Sequence, residues 1–360
     1  MHDPVHPCAT ARPSRRTVLG SLAGIAAASA LGVTARAQEP ALAGLIDVHH
    51  HFYPPELKAA ANAYGAKRGE APLGGPIGGW TPDRTIEEMD KSGIKTAILS
   101  LASSRGVWFD LPPSGWAPMA RLCNEYAAKM MRDYPGRFGL FATLPMPDVA
   151  ASLKEIAYAF DVLKADGIGI PTSFGDKWPG EPAYAPVWAE LNRRKAMVVF
   201  HPMAANCCSN GLVPNVAESY IEYPFDTGRA VVSLLFNGAF VTYRDIKWTF
   251  CHSGGPIPVM AERIATLSRF QQKNLAEVAP DGVLAELKKL YYDTANAAYA
   301  PPMSALLAFV PPTQIMFGTD YPYVGGKANV DALVARNLPP ATIAAIARGT
   351  ASRLIPRLLT

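Results

Sequence analysis

The chain has 360 residues, 49% of them hydrophobic, which is enough to bury a large core, and it carries 34 basic against 30 acidic side chains. Four of the arginines and one aspartate lie before residue 38, so the remainder holds 30 basic and 29 acidic residues, a formal charge of +1. A near-neutral body without a Lys/Arg run offers no electrostatic footprint for nucleic acid or an anionic membrane surface, and small molecules are the expected partners.

The first element in chain order stands apart from any fold. Arg15 and Arg16 precede an Ala-rich apolar run from Val18 to Val33, and Ala35-Arg36-Ala37 closes it as a small-x-small cleavage site. The arginine pair resembles a twin-arginine export signal, which implies that residues 1–37 are removed and that the folded product reaches the periplasm. The run is short and rich in Gly, Ala and Ser, so no stable membrane insertion is expected after its removal. Cys8 leaves with this segment. Cys123, Cys207, Cys208 and Cys251 remain, without CxxC spacing or a disulfide framework. The adjacent Cys207 and Cys208 read as two unpaired loop thiols, with a strained vicinal disulfide as the alternative.

No Gly/Ser-rich linker divides residues 38–360, and one domain is expected. Short apolar, β-branched runs recur along it at Leu45–His50, Thr96–Leu101, Gly139–Pro145, Gly167–Ser173, Ala196–Pro202, Ile246–Ser253, Leu290–Asn296 and Ile315–Tyr321. Segments with helical periodicity lie between them; in "TPDRTIEEMDKSGI" Thr81, Pro82 and Asp83 give a start signal and Gly93 a stop. Eight strand–helix alternations predict a (β/α)8 TIM barrel over a doubly wound sheet, because no glycine-rich phosphate loop follows the first strand and the unusual polar residues sit at several strand ends. Two intervals exceed one helix. Phe52 to Trp80 reads as an inserted loop or hairpin over the mouth, and Met203 to Asp245 as an active-site loop combined with helices.

The histidines are concentrated where a barrel keeps its chemistry. "LIDVHHHFYPP" packs three of the seven behind Asp47, and alternation along a strand puts His49 and His51 on one face with His50 on the other. His201 closes the fifth strand in "AMVVFHP", His252 the sixth in "IKWTFCHSGG", and Asp320 the eighth in "IMFGTDYP". In a barrel these ends converge on the C-terminal mouth. His49, His51, His201 and Asp320 then supply three neutral nitrogens and one carboxylate, a set that suits one divalent metal, zinc first and manganese or iron as alternatives. A lone strand histidine is more often a hydrogen-bonded core residue, but a full set at strand ends reads as a metal site. His50 and Asp47 are expected to support it, Asp47 by bonding backbone or the other ring nitrogen of a ligand.

"IDVHHHFYPP", "FHP", "FCHSGG" and "FGTDYPY", with "EEMDKSGI", "YPGRFGLFATLPM" and "HSGGPIPVMAERI", resemble the amidohydrolase-related metal-dependent barrels, in particular 2-amino-3-carboxymuconate 6-semialdehyde decarboxylases and fungal 6-methylsalicylate decarboxylases. The resemblance runs from about Leu45 past Tyr323. It implies that His49, His51, His201 and Asp320 hold the metal, that His252 and Asp320 serve catalysis with His252 as acid/base, and that Arg263 reaches the substrate carboxylate of a neighbouring subunit in a homodimer. Arg105 and Met203 are further candidates for substrate contact. The chain departs from the semialdehyde decarboxylases at Thr85, which stands next to Arg84 where they have a substrate-binding arginine, and at Met203, where they have tryptophan. These departures make a different pocket.

Such a constellation performs one of two reactions: non-oxidative decarboxylation of a small aromatic or unsaturated carboxylic acid, with His252 as proton donor, or hydrolysis of a lactone, ester or amide, with His252 as base. The resemblance favours the carboxy-lyase. A barrel that binds without turnover is the reading from another class, and it leaves the histidine beside the metal without a task.

Overall fold

The alternating apolar runs and amphipathic segments close into a ring in a computed structural model that describes residues 41–101, 111, 113–208 and 213–359. The export segment and Arg105 lie outside the described residues. The strands are β1 (Leu45–His51), β2 (Ile94–Ser100), β3 (Phe138–Thr143), β4 (Gly167–Pro171), β5 (Met197–His201), β6 (Lys247–Phe250), β7 (Tyr291–Asp293) and β8 (Ile315–Met316). They pair in parallel in sequence order. The ring closes where Val48 N–H donates to Phe317 O, His51 N–H to Tyr321 O and Asp320 N–H to His49 O. A (β/α)8 barrel is therefore the fold, with all eight expected strands present and β6 to β8 shorter than the apolar runs that announced them.

The principal helices are α1 (Pro55–Lys67), α2 (Pro82–Ser92), α3 (Pro113–Asp133), α4 (Val149–Asp161), α5 (Ala185–Arg193), α6 (Glu218–Phe236), α7 (Ile257–Gln271), α8 (Ala300–Phe309) and α9 (Gly326–Val334). The α2 signals behave as read: the Thr81 hydroxyl accepts from Arg84 N–H, and Gly93 adopts φ 70°, a left-handed C-terminal position that glycine fills without strain. The interval from Phe52 to Trp80 corrects an expectation. It holds helix α1, 13 residues long, followed by a short turn of helix at Gly75–Gly78, instead of a loop or hairpin. "PELKAAANAYGAK" is alanine-rich with proline at its first turn, so local propensity outweighs the loop-like Gly and Pro content of the whole interval. The interval after Met203 does combine an irregular segment with a helix, α6. No helix of the described residues is long and apolar enough to cross a membrane. Cys207 and Cys208 are free thiols with their Sγ atoms 2.9 Å apart.

Two hydrophobic layers divide the core. One fills the space between strands and helices, with Leu99, Leu140, Ile168, Val198, Phe200 and Phe250 among its fully buried members. The other fills the barrel with Ile46, Val48, Ile98, Phe141, Met197, Val199 and Met316, joined by Ala351 and Ile355 from the C-terminal segment. Arg357 of that segment pairs with Asp166, tying it to the end of the barrel away from the histidines.

The strand register explains how β1 presents its histidines. Val48 belongs to the interior layer, yet the side chains of His49 and His51 also turn inward, to meet Asp320, an arrangement strict alternation forbids. A β-bulge between Asp47 and His50 in the pairing with β2 supplies the missing half-turn. Asp47 and His50 are thereby placed together on the outer side, where the His50 Nδ1–H donates to Asp47 Oδ2 at 2.8 Å.

A metal-binding cluster opening on a phenol-lined cavity

Strand ends from opposite sides of the barrel bring five side chains to one point. His49 Nε2 lies 3.1 Å from His51 Nε2 and 3.3 Å from Asp320 Oδ1, and His51 Nε2 is 3.1 Å from the same oxygen. His201 Nε2 is 4.0 Å from it. The His252 ring centroid is 4.8 Å from that of His49 and 5.8 Å from that of His201. His49, His201, His252 and Asp320 each place a ligand atom within 4.8 Å of the others, so His252 stands in reach of the centre as well as His51. His49 and His51 are fully buried, and His201 and Asp320 nearly so.

The outer nitrogens decide what the inner ones can do. His51 Nδ1 faces Ser100 O at 3.1 Å, His201 Nδ1 faces Pro202 O at 2.9 Å and His252 Nδ1 faces Ala295 O at 2.8 Å. A carbonyl only accepts, so each Nδ1 carries the proton and each Nε2 a lone pair. His49 Nδ1 is held likewise by Asp293 Oδ2 at 2.8 Å. The inward set is therefore made of lone pairs and one carboxylate, and His201 Nε2 is buried with no hydrogen-bond partner. Acceptors crowded to about 3 Å repel one another, whereas a divalent cation satisfies them together. The residues fit such a group.

Burial pushes the His201 pKa down to about 3 and lowers that of His51, keeping both neutral as ligands must be. Burial alone would raise Asp320, but the imidazoles of His201, His252, His49 and His51 hold it well below the usual carboxylate range. Burial also opposes charge on His49; the carboxylates of Asp293 and Asp320, one at each ring nitrogen, nevertheless raise its pKa well above the ordinary value. A proton and a cation thus compete for the same Nε2 lone pair.

Asp293 is the supporting residue that sequence reading missed. It ends β7, within a run already recognised as a strand, and the polar strand end was the available signal. Its Oδ2 accepts from His49, while its Oδ1 accepts from the backbone N–H of His252 at 2.8 Å and of Ala295 at 3.0 Å. Asp293 thereby fixes a histidine of the cluster and the backbone of another, and His49 draws its pKa down to about 2 against the effect of burial. Asp47, expected to bond backbone or the other ring nitrogen of a ligand, does the first: it accepts from the backbone N–H groups of His49 and Thr319, the Thr319 hydroxyl and the outward His50. Backbone strain gathers at the same place: His252, Ser253, Asn296 and Asp320 have φ between 46° and 70°.

Above the cluster lies a cavity of about 740 Å³ lined by His201, His252 and Asp320 from below and by Tyr220, Tyr223, Tyr323 and Asn296 around it. Of the expected substrate contacts, Met203 is buried at the end of β5 and Arg263 is exposed on α7, and neither is among the lining residues. Thr85 is buried with its hydroxyl donated to Thr81 O, and Arg84 donates to Gly79 O.

Residues 46–357 match the family model described as Amidohydrolase. The chain is 36% identical to the decarboxylase yanB of Aspergillus niger over 289 residues, 77% of each chain. It is 34% identical to the 6-methylsalicylic acid decarboxylase of Penicillium expansum over 321 residues, 87% of this chain and 96% of that one. Its fold also matches the crystal structure of a dihydroxybenzoic acid decarboxylase from Polaromonas sp. JS666 with bound manganese and the inhibitor 2-nitroresorcinol, at a TM-score of 0.73 and 20% identity over 87% of this chain and 97% of that one.

Replacing Asp293 by Asn leaves the packing and removes the charge behind His49. A loss of about 10- to 100-fold in metal affinity is expected, measured by competition with a chromogenic chelator; unchanged affinity would show that Asp293 does not support a ligand.

Proposed function

We propose that this chain, which belongs to the amidohydrolase family, is a metal-dependent non-oxidative decarboxylase of a small aromatic carboxylic acid. The observation that carries the reading is the convergence of three imidazole Nε2 atoms on Asp320 Oδ1, with His252 beside them opening on the cavity. The curated relatives named decarboxylases support it.

His49, His51, His201 and Asp320 would hold one divalent cation, which supplies electrophilic polarisation of a substrate oxygen when bound. Three nitrogens and one carboxylate suit zinc, and the manganese of the dihydroxybenzoic acid decarboxylase makes that metal the alternative. His252, with its Nδ1–H tied to Ala295 O, turns Nε2 to the cavity. Protonated there, it delivers a proton to the ring carbon as the bond to the carboxylate breaks. That carbon keeps the bonding electron pair and CO2 leaves. Asp293 holds the His252 backbone in its left-handed conformation throughout.

The test is a panel of aromatic acids, lactones, esters and amides incubated with metal-loaded protein, with CO2 and acid release followed in parallel. CO2 from an aromatic acid is expected; acid release alone would make the chain a hydrolase. His252→Ala should keep about one divalent ion per chain by elemental analysis and lose roughly 10²- to 10⁴-fold in turnover. Loss of the metal in that variant would make His252 a ligand.

The reading extends to assembly through α7. Val259 is 72% and Phe270 84% exposed, with Arg263 exposed between them, an apolar stripe that supports a homodimer in which Arg263 serves the partner's pocket. Mixing His252→Ala with Arg263→Ala should then restore part of the activity in mixed dimers. If subunit exchange occurs and no activity returns, the pockets are not shared.

Export by the twin-arginine route rests on the Arg15-Arg16 pair and the apolar run behind it. Changing both arginines to lysine should hold the protein in the cytoplasm; unchanged periplasmic yield on fractionation would refute this route.

A further inference from the structure

Two cysteines stand outside the chemistry of the cluster. Cys207 and Cys208 belong to one turn of 3-10 helix after β5, Asn206–Cys208, and their Sγ atoms are 2.9 Å apart. A tight turn after β4 holds this segment in place. Phe174 and Lys177 pair across it, Gly175 O accepts from Asn206 N–H at 3.3 Å, and Asp176 Oδ1 accepts from Cys207 N–H at 2.6 Å. Cys207 is exposed and Cys208 half-buried, whereas Cys123 and Cys251 are buried. The pair is a dithiol on a fixed backbone with one sulfur open to solvent.

Its geometry discriminates between the partners a dithiol can take. Neighbouring Cα atoms lie about 3.8 Å apart, closer than the roughly 4.4 Å at which disulfides begin, so a direct bond between these sulfurs would distort the turn. One bridging atom with bonds of about 2.3 Å to sulfur asks only for a small opening of the pair. A tetrahedral metal ion needs further ligands, and among the described residues no third His, Cys, Asp or Glu atom joins both sulfurs within 4.8 Å. The hydrogen bond shared with Cys208, with partial burial and the Asp176 carboxylate alongside, also pushes the Cys207 pKa up to about 11. A cation would have to expel that firmly held proton. A trivalent arsenical meets neither obstacle, because it brings its own third substituent and its hydroxyl groups carry the thiol protons away as water.

We propose that Cys207 and Cys208 form a covalent capture site for trivalent arsenicals of the type R–As(OH)2. Each thiol condenses with one hydroxyl: an S–H and an As–O bond break, an As–S bond forms and water leaves. Two waters are released, arsenic stays trivalent and no electrons are transferred. Cys207, the more exposed thiol, makes the first bond and Cys208 closes the ring. Cys208 shares a small recess with Val213, Ala217, Ile221 and Glu222, while Tyr220 and Tyr223 from the same turns of α6 line the cavity. The captured group therefore abuts the helix that walls the cavity and leaves the histidine cluster untouched.

The probe is phenylarsine oxide, added to metal-loaded protein in excess glutathione. Intact-mass analysis should show one phenylarsenic unit per chain with the loss of two titratable thiols, and the divalent-ion content should not change. The dithiol 2,3-dimercaptopropanol should remove the adduct, and glutathione should not. Cys207→Ser and Cys208→Ser should each weaken retention by about 10²-fold or more, because the second As–S bond is then no longer intramolecular. Retention at wild-type strength in either variant, removal by glutathione, consumption of a single thiol, loss of the divalent ion on capture, or no adduct at all would each overturn the proposal. Protein that yields these two thiols only after reduction would overturn it as well, since the direct sulfur–sulfur bond would then be the favoured state.

Discussion

Several groups that can only accept hydrogen bonds cannot share a buried point unless something positive lies between them, and most of this barrel's mouth is arranged around that constraint. Each imidazole of the cluster gives its Nδ1 proton to an acceptor on the outer side, three of them main-chain carbonyls, so the lone pairs face inward by construction. The acceptors come from separate segments, Ser100 at the end of β2, Pro202 after β5, and Asp293 and Ala295 at and after β7. The strands thus supply both the inward atoms and the means of orienting them. The fold thereby sets which ring nitrogen of each ligand faces inward, and at His49 a proton holds the place that a cation would take.

The bulge in β1 turns His49 and His51 to the same side as Ile46 and Val48, and the three consecutive histidines then divide into two jobs. His49 and His51 face the centre. His50 turns outward, stacks on Tyr321 with ring centroids 4.6 Å apart, and joins Asp47 in a network that also takes in Thr319. That network ties the first strand to the segment carrying Asp320, so the two halves of the cluster are braced by polar contacts just behind it. The left-handed backbone at His252 and Asp320 is retained because Asp293 and the neighbouring strands accept the amides that those conformations redirect.

The barrel and the members of the cluster were legible because they follow from periodicity and from the place where a barrel puts its polar strand ends. His49, His51, His201, His252 and Asp320 all announced themselves as charged or polar residues closing apolar runs. Asp293 ended such a run too, but a carboxylate beside tyrosines gives no hint that it faces a histidine 244 positions away, since that pairing depends on how the ring closes. Asp47 was expected to bond backbone or a ligand's ring, and it does hold the backbone of His49; a one-residue bulge, invisible to pattern reading, turns its side chain away from the centre. Helix α1 was hidden by the Gly and Pro content around it. The cavity's tyrosines come from the segments after β5 and β8, and side chains gathered from connecting segments have no period to reveal them.

The C-terminal segment places Ala351 and Ile355 beneath the side chains that fill the barrel, and this packed layer closes the floor under the cluster. Among the described residues the cluster meets the cavity on its other side, so an ion held by His49, His51, His201 and Asp320 would lie beneath whatever acid fills that cavity. Occupancy of the outer chamber and retention of the inner ion are coupled by position alone, in the manner of a stopper in a flask.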